Sequence, residues 1–379
     1  MIAATAPRIL LAAGGTGGHM FPAEALARAL LTRGLTVDLA TDARGQGFGD
    51  RLPQVRVHRI ASGGVAGKGP IARLGNLLRL GWGVVQSRRL LRRLDPAVVV
   101  GFGGYPSVPP VWAAQQDEVP TILHEQNAVM GRANRFLARR AARLALSFDD
   151  VQFADRVGAE RRTVTGNPVR PEVSAIADAT YVAPRAGEPV RLFVMGGSLG
   201  ARVFGKAVPD AVALLHQDLR RRLSIAQQAR AEDMANVCEA YRALNLAVEL
   251  RPFFEDVPER LRQAHLLVTR AGASTVAELT AAGRPAVLVP LPNSIDDHQM
   301  ANARALESAR GGWLLPENLL SPSALAKILE AALADPVRLE QAAAAAKSLG
   351  KRDAADRLAD LVIELLPRDA RAAWQRGAA

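Results

Sequence analysis

The sequence predicts an α/β chain built from two doubly wound, Rossmann-like domains in tandem. Two short apolar runs, residues 8–13 and 190–195, each lead into a glycine cluster and then into a helical pattern. Strand, glycine turn and helix is the opening unit of a doubly wound domain, and here it occurs twice, about half a chain apart. A length of 379 residues also exceeds what one ordinary core serves and suits two.

The elements follow in order. Arg8-Ile-Leu-Leu-Ala-Ala13 reads as a buried first strand. Its apolar stretch is too short for a signal peptide, and no stretch approaches the roughly 18 apolar residues of a spanning helix. Gly14-Gly-Thr-Gly-Gly-His19 is the turn, and a helix begins near Pro22. Residues 37–40, 98–101 and 121–124 are further buried strands of the first half. Thr165-Gly-Asn-Pro-Val-Arg170 has turn chemistry and marks the domain junction. The second unit repeats the pattern with a strand over 190–195, the turn Gly196-Gly-Ser-Leu-Gly-Ala201 and a helix from about Val203. Strands over 246–250, 266–269 and 286–289 follow. Helical stretches separate most of these strands, so the sheets should be parallel. From about Ser321 the chain reads as helical to its end. The expected domains are 1–168, 169–345 and a helical segment, 346–379, that packs back on the first.

Composition narrows the partners. The formal charge is +11, and 22 Lys+Arg against 12 Asp+Glu put +10 of it in residues 1–168, whereas 26 against 25 leave +1 in residues 169–379. A basic half points to an anionic partner. Nucleic acid is not expected, because aromatic residues are only 4 % and no RNA- or DNA-binding motif is present. The single cysteine, Cys238, rules out a disulfide framework within the chain.

A turn that offers backbone N–H groups to a phosphate needs residues without a Cβ in the way, and the following helix end adds partial positive charge. Both glycine clusters meet these needs. Neither matches the dinucleotide fingerprint: Met20 occupies the third glycine position of the first cluster, and the second has the wrong spacing. No Gly-Lys-Ser/Thr follows either cluster, which excludes a P-loop. Two domains with such turns facing each other across a cleft would place a nucleotide on one side and an acceptor on the other.

Seven motifs stand in the order of one family: Gly14-Gly-Thr-Gly-Gly-His-Met-Phe-Pro22, Gly103-Gly-Tyr-Pro-Ser107, His124-Glu-Gln-Asn127, Gly166-Asn-Pro-Val-Arg170, Gly196-Gly-Ser-Leu-Gly-Ala201, Arg270-Ala-Gly-Ala-Ser-Thr-Val-Ala-Glu278 and His298-Gln-Met-Ala-Asn302. Over about residues 8–345 the chain resembles the MurG family of N-acetylglucosaminyltransferases. The resemblance implies a two-domain GT-B fold, with the lipid acceptor on the N-terminal domain and the UDP-sugar on the C-terminal one. It implies inverting transfer of N-acetylglucosamine from UDP-N-acetylglucosamine to the 4-hydroxyl of undecaprenyl-pyrophosphoryl-N-acetylmuramoyl-pentapeptide. Another GT-B glycolipid transferase or a UDP-N-acetylglucosamine epimerase is the alternative.

Such chemistry needs a base for the hydroxyl and charge stabilisation on the leaving diphosphate. His19, Glu125 and then His124 are the base candidates. The helix end beside His19 disfavours its charged form and leaves a neutral imidazole to accept a proton. Glu125 follows a predicted strand at its C-terminal end, where α/β sites are built. Thr16, Gly17 and Gly18 are expected at the acceptor diphosphate and near the donor, with Tyr105, His124 and Asn127 among the acceptor-binding groups. The resemblance implies that Asn127 and Arg170 also reach the donor. It places Ser198 on the UDP phosphates, Glu278 on the ribose hydroxyls and the backbone of Phe254 at the uracil. Ala273, Ser274, Thr275, His298 and Gln299 complete the donor set. No cofactor or metal is expected: Asp296-Asp297 and Asp149-Asp150 lack the Asp-x-Asp pattern of metal-dependent glycosyltransferases.

In residues 70–95, Ile71, Leu74, Leu78, Trp82 and Val85 recur at helical spacing, with Arg88, Arg89, Arg92 and Arg93 beside them. Tryptophan and arginine along an apolar stripe suit a lipid interface. The expected setting is the cytoplasmic face of the bacterial inner membrane, held peripherally by anionic lipids, with other cell-wall synthesis proteins among the partners.

Overall fold

A computed structural model describes residues 6–15, 17–43, 51–63, 70–197 and 200–378. The chain divides into two compact units, residues 1–170 with 353–379, and residues 171–352. Residues 346–352, expected with the C-terminal tail, thus belong to the second unit.

The first unit holds a seven-stranded, all-parallel sheet. Its strands are β1 (Arg8–Ala12), β2 (Thr36–Thr41), β3 (Arg56–Arg59), β4 (Val98–Gly101), β5 (Thr121–Glu125), β6 (Arg143–Leu146) and β7 (Arg162–Val164), in the order β3-β2-β1-β4-β5-β6-β7. Helices α1 (Gly17–Thr32), α2 (Pro70–Leu94), α3 (Val108–Gln116) and α4 (Arg132–Leu137) connect them. The central strands are covered on both faces, which is why they read as unbroken apolar runs. Ile9 and Leu11 face one core with Leu26 and Leu30 of α1, whereas Leu10 and Ala12 face another with Leu90, Leu91 and Val111.

The second unit repeats the plan with six parallel strands. These are β8 (Val190–Met195), β9 (Leu223–Gln228), β10 (Val248–Arg251), β11 (Leu266–Thr269), β12 (Ala286–Leu288) and β13 (Gly312–Leu314), in the order β10-β9-β8-β11-β12-β13. Helices α5 (Pro171–Ala175) and α6 (Arg202–Leu214) flank β8, and α7 (Gln217–Arg222), α8 (Met234–Ala243) and α9 (Val257–Gln263) follow. Then come α10 (Ala273–Ala282), α11 (His298–Ser308), α12 (Pro322–Leu333) and α13 (Pro336–Leu349).

The last helices, α14 (Ala354–Glu364) and α15 (Arg368–Ala378), belong to the first unit. Leu358, Leu361 and Val362 of α14 enter the core beside Leu26 and Leu30. Arg33 pairs with Asp356 and Asp360, and the indole N–H of Trp374 donates to the Arg33 carbonyl at 2.8 Å.

Both sheets reverse strand order beside their first strand, between β1 and β4 and between β8 and β11. A ligand crevice forms at such a reversal, beyond the carboxyl ends of the strands. In register, Ala12 lies opposite Gly101 and Met195 opposite Thr269, so each glycine turn emerges next to the loop that follows the neighbouring strand.

Candidate active site

In the first unit the switch point is lined by the turn after β1, the loop after β4 and the end of β5. Thr16 lies outside the described residues. Gly17, Gly18 and His19 open α1. Gly103 and Gly104, at φ +79° and +71°, adopt backbone conformations that side chains rarely take. A Cβ on Gly104 would come within 3.4 Å of the His19 ring. Tyr105 follows, half-buried at the start of a short 3₁₀ turn.

Strand alternation at the end of β5 sorts His124-Glu-Gln-Asn127 into two sets. Gln126 is 1 % exposed and its amide nitrogen donates to the Phe102 carbonyl at 3.0 Å and to His124 Nδ1 at 2.9 Å. Its Oε1 stands 3.1 Å from His19 Nδ1. His124 is 0 % exposed and its Nε2 donates to the Gly166 carbonyl at 3.0 Å. Burial lowers its pKa to about 4, so it is neutral at physiological pH. Both ring nitrogens of His124 are thus bonded inside the protein, where its ring supports Gln126 from behind.

Glu125 points the other way. It is 2 % exposed and accepts from the Gly131 amide at 2.8 Å, Asn134 Nδ2 at 2.8 Å and the Asn127 amide at 3.1 Å. Asn127 Nδ2 lies 3.4 Å away. These donors occupy both carboxylate oxygens, so the group ties down the loop from 126 to 134. Arg170, at the end of this unit, places its guanidinium 5.4 Å from the Phe21 ring centre, and Arg51 lies 5.6 Å from the same ring.

In the second unit Ser198 lies outside the described residues. A Cβ on Gly196 would fall 2.0 Å from the Ala201 amide nitrogen, so the turn closes only with glycine there. The Gly196 amide donates to Gln228 Oε1 at 2.9 Å. Arg230, beyond the end of β9, reaches the Gly200 carbonyl at 3.4 Å through Nη2. Gln228 and Arg230 belong to no motif of the sequence, because β9 carries no apolar run. Two glutamines and an arginine after Leu223-Ser-Ile-Ala were its only signal.

Beyond β11, Ala273, Ser274 and Thr275 form the first turn of α10, whose N-cap Gly272 supplies no side-chain cap. The Ser274 hydroxyl is buried without a hydrogen-bond partner. Glu278, 6 % exposed, sits in the next turn. Gln299 Oε1 accepts from the Ala271 amide at 3.2 Å and the Leu291 amide at 3.0 Å, joining the loops after β11 and β12. His298 Nδ1 lies 2.7 Å from the Ile295 carbonyl. Phe254 is buried edge-on to Phe193, with the guanidinium groups of Arg251 and Arg260 5.6 and 5.2 Å from its ring centre.

Two parallel sheets in Rossmann order, each with a glycine turn at its switch point, make up a GT-B-like fold, the fold of many nucleotide-sugar glycosyltransferases. Residues 9–146 match the glycosyltransferase family 28 N-terminal domain, and residues 191–358 match the family 28 C-terminal domain. The UDP-N-acetylglucosamine–N-acetylmuramyl-(pentapeptide) pyrophosphoryl-undecaprenol N-acetylglucosamine transferase of Rhodospirillum centenum is 57 % identical over 355 residues, covering 94 % of this chain and 93 % of that protein. The transferase of the same name from Rhodospirillum rubrum is 53 % identical, over 93 % of this chain and 91 % of its own length. The crystal structure of Acinetobacter baumannii MurG superposes with a TM-score of 0.77 at 28 % identity, covering 94 % of this chain and 99 % of that one. The chain belongs to the MurG family. A UDP-GlcNAc 2-epimerase from Neisseria meningitidis, at 12 % identity and a TM-score of 0.65, shares the fold alone.

Proposed function

We propose that this protein transfers N-acetylglucosamine from UDP-N-acetylglucosamine to the 4-hydroxyl of undecaprenyl-pyrophosphoryl-N-acetylmuramoyl-pentapeptide. The observation that carries the reading is identity above half over nearly the full length of transferases with this activity in their name. The site residues support the same chemistry. His19 takes the proton of the acceptor hydroxyl as its oxygen bonds to the anomeric carbon. The bond from that carbon to the diphosphate oxygen breaks on the opposite side, inverting the centre, and UDP leaves with the electron pair. Glu125 is the weaker base candidate, because three donors at 3.1 Å or less already occupy its two carboxylate oxygens. It acts as the anchor of the loop carrying Gln126 and Asn127.

Thr16 and the amides of Gly17 and Gly18 at the start of α1 suit the acceptor diphosphate, with Tyr105 and Asn127 around the acceptor sugar. On the donor side, the uncapped first turn of α10 offers the Ala273, Ser274 and Thr275 amides and the unpartnered Ser274 hydroxyl to the UDP-sugar. Glu278 receives the ribose hydroxyls, the Phe254 backbone meets uracil, and Ser198, Arg170, His298 and Gln299 complete the set.

The lipid tail requires the enzyme to come to the membrane, and α2 has a face for it. Leu78, Trp82 and Val85 are 69 %, 52 % and 41 % exposed, whereas Gly83, Ser87, Leu90 and Leu94 form the buried face. The side chains of Ile71 and Leu74 lie outside the described residues. Arg89 stacks on Trp82 at 5.7 Å, and Arg89 and Arg92 are exposed. Arg88 is partly engaged, with Asp117 at 3.7 Å and the Trp112 ring at 6.0 Å, and Arg93 reaches His58 Nδ1 at 3.3 Å. Among the described residues no helix is long and apolar enough to cross a membrane, and the attachment proposed through this face is a peripheral one. The deciding experiment supplies UDP-N-acetylglucosamine and a short-chain analogue of the lipid acceptor. UDP release coupled to disaccharide formation is expected. UDP-N-acetylglucosamine turned over without an acceptor would instead favour the epimerase alternative.

A further inference from the structure

We infer that Gln126 is a positioning residue that locks His19 into one imidazole tautomer, with the proton on Nδ1 and the lone pair on Nε2. The inference deepens the proposed function and rests on its assignment of His19 as the base.

The reasoning depends only on which atoms can donate. The Gln126 amide nitrogen faces three acceptors: the Phe102 carbonyl at 3.0 Å, the His124 carbonyl at 3.1 Å and His124 Nδ1 at 2.9 Å. Two of these are backbone carbonyls, which can never donate, so the NH₂ end must point at them and the amide cannot be flipped. That leaves Oε1 facing His19 Nδ1 at 3.1 Å. An amide oxygen only accepts, so His19 must carry its proton on Nδ1. A single polar chain results. Gly166 O accepts from His124 Nε2, His124 Nδ1 accepts from Gln126, and Gln126 Oε1 accepts from His19.

The chain is stiff because it is buried. Gln126 and His124 are 1 % and 0 % exposed, so no water competes for their bonds. His124 cannot relax it by taking a proton, since burial holds its pKa near 4. A flipped amide would set carbonyl oxygens against one another and leave a buried NH₂ unsatisfied, which is costly. Imidazole free in solution divides between two tautomers, and only one presents a lone pair on Nε2. A neutral amide selects that tautomer without adding charge, so the base is oriented but not made a stronger proton trap.

The test reads the tautomer directly. The protein has six histidines, so ¹⁵N-histidine labelling and long-range proton–nitrogen spectra resolve the rings, with His19 assigned from a His19→Asn sample. The wild type should show His19 protonated at Nδ1 at neutral pH. Gln126→Met, close in size but without donor or acceptor, should give mixed tautomers and lower kcat about tenfold or more, with both Michaelis constants within about twofold. Gln126→Glu should keep the Nδ1 proton and recover much of kcat, because a carboxyl buried against two carbonyl oxygens stays protonated and donates as the amide did. An Nε2-protonated His19 in the wild type overturns the inference whether or not any variant folds. So does a Gln126→Met protein with an unchanged tautomer. Failure of the base assignment is seen separately, as undiminished turnover by His19→Ala.

Discussion

Replacing Glu125 by alanine separates an anchor from a base. The carboxylate is 2 % exposed and holds the Gly131 amide, the Asn134 side-chain amide and the Asn127 amide at 2.8, 2.8 and 3.1 Å. Truncation strips three buried donors of a charged acceptor. Hydrogen bonds to charged groups contribute about 1.5–3 kcal/mol each, but water entering the gap restores part of this. The net loss should resemble that from breaking a buried ion pair, about 3–5 kcal/mol. For a unit of this size each kcal/mol lowers the melting temperature by about 2–4 °C. The first unit should therefore melt roughly 6–20 °C lower, and turnover should fall as the loop from 126 to 134 loosens. His19→Ala is the control: His19 is half-buried, so the same unit should lose about 1 kcal/mol, the usual centre for a substitution, while turnover drops about 10²-fold or more. Differential scanning calorimetry with a coupled UDP-release assay measures both. An unshifted melting temperature for Glu125→Ala, together with lost turnover, would refute the anchor role and return Glu125 to the position of base.

Three further outcomes are expected. Glu278→Ala should weaken UDP-sugar binding by roughly 1.5–3 kcal/mol in isothermal titration, and unchanged affinity would remove Glu278 from the donor site. The wild type should co-sediment with anionic vesicles at low salt and release at high salt. Replacing Arg88, Arg89, Arg92 and Arg93 with glutamine should weaken this by about 1 kcal/mol per arginine while sparing UDP binding. Indifference of the wild type to anionic vesicles would end the docking proposal. His124 makes stability pH-dependent. Burial holds its pKa at about 4 in the folded protein against an ordinary 6.5, so the unfolded chain takes up a proton first as pH falls. Its contribution is therefore complete above about pH 6.5 and declines towards pH 4, by on the order of 3 kcal/mol at most. Thermal melts from pH 7.5 to 5 should show a smaller decline for His124→Asn, and parallel curves would count against a neutral buried His124.

The sequence by itself determined the two doubly wound units, because β1 and β8 lie inside their sheets and need unbroken apolar runs on both faces. It determined the glycine turns for a similar reason: only glycine fits where Gly196 meets the Ala201 amide. It did not reveal β3, Arg56-Val-His-Arg59, or β7, Arg162-Thr-Val164, since edge strands keep one side in solvent and carry no apolar run. Nor did it reveal β9, an inner strand whose buried Gln227 accepts from the Tyr241 hydroxyl at 2.6 Å and donates to the Phe204 carbonyl at 3.1 Å. In His124-Glu-Gln-Asn127 the residue types were legible and their roles were not. Strand alternation turned Glu125 towards the donors of its own loop and Gln126 towards His19, 107 residues away. Pattern and spacing report what a residue's chain neighbours allow. Whether a carboxylate is a base or an anchor depends on which donors the tertiary fold brings to its oxygens, and those come from distant parts of the chain.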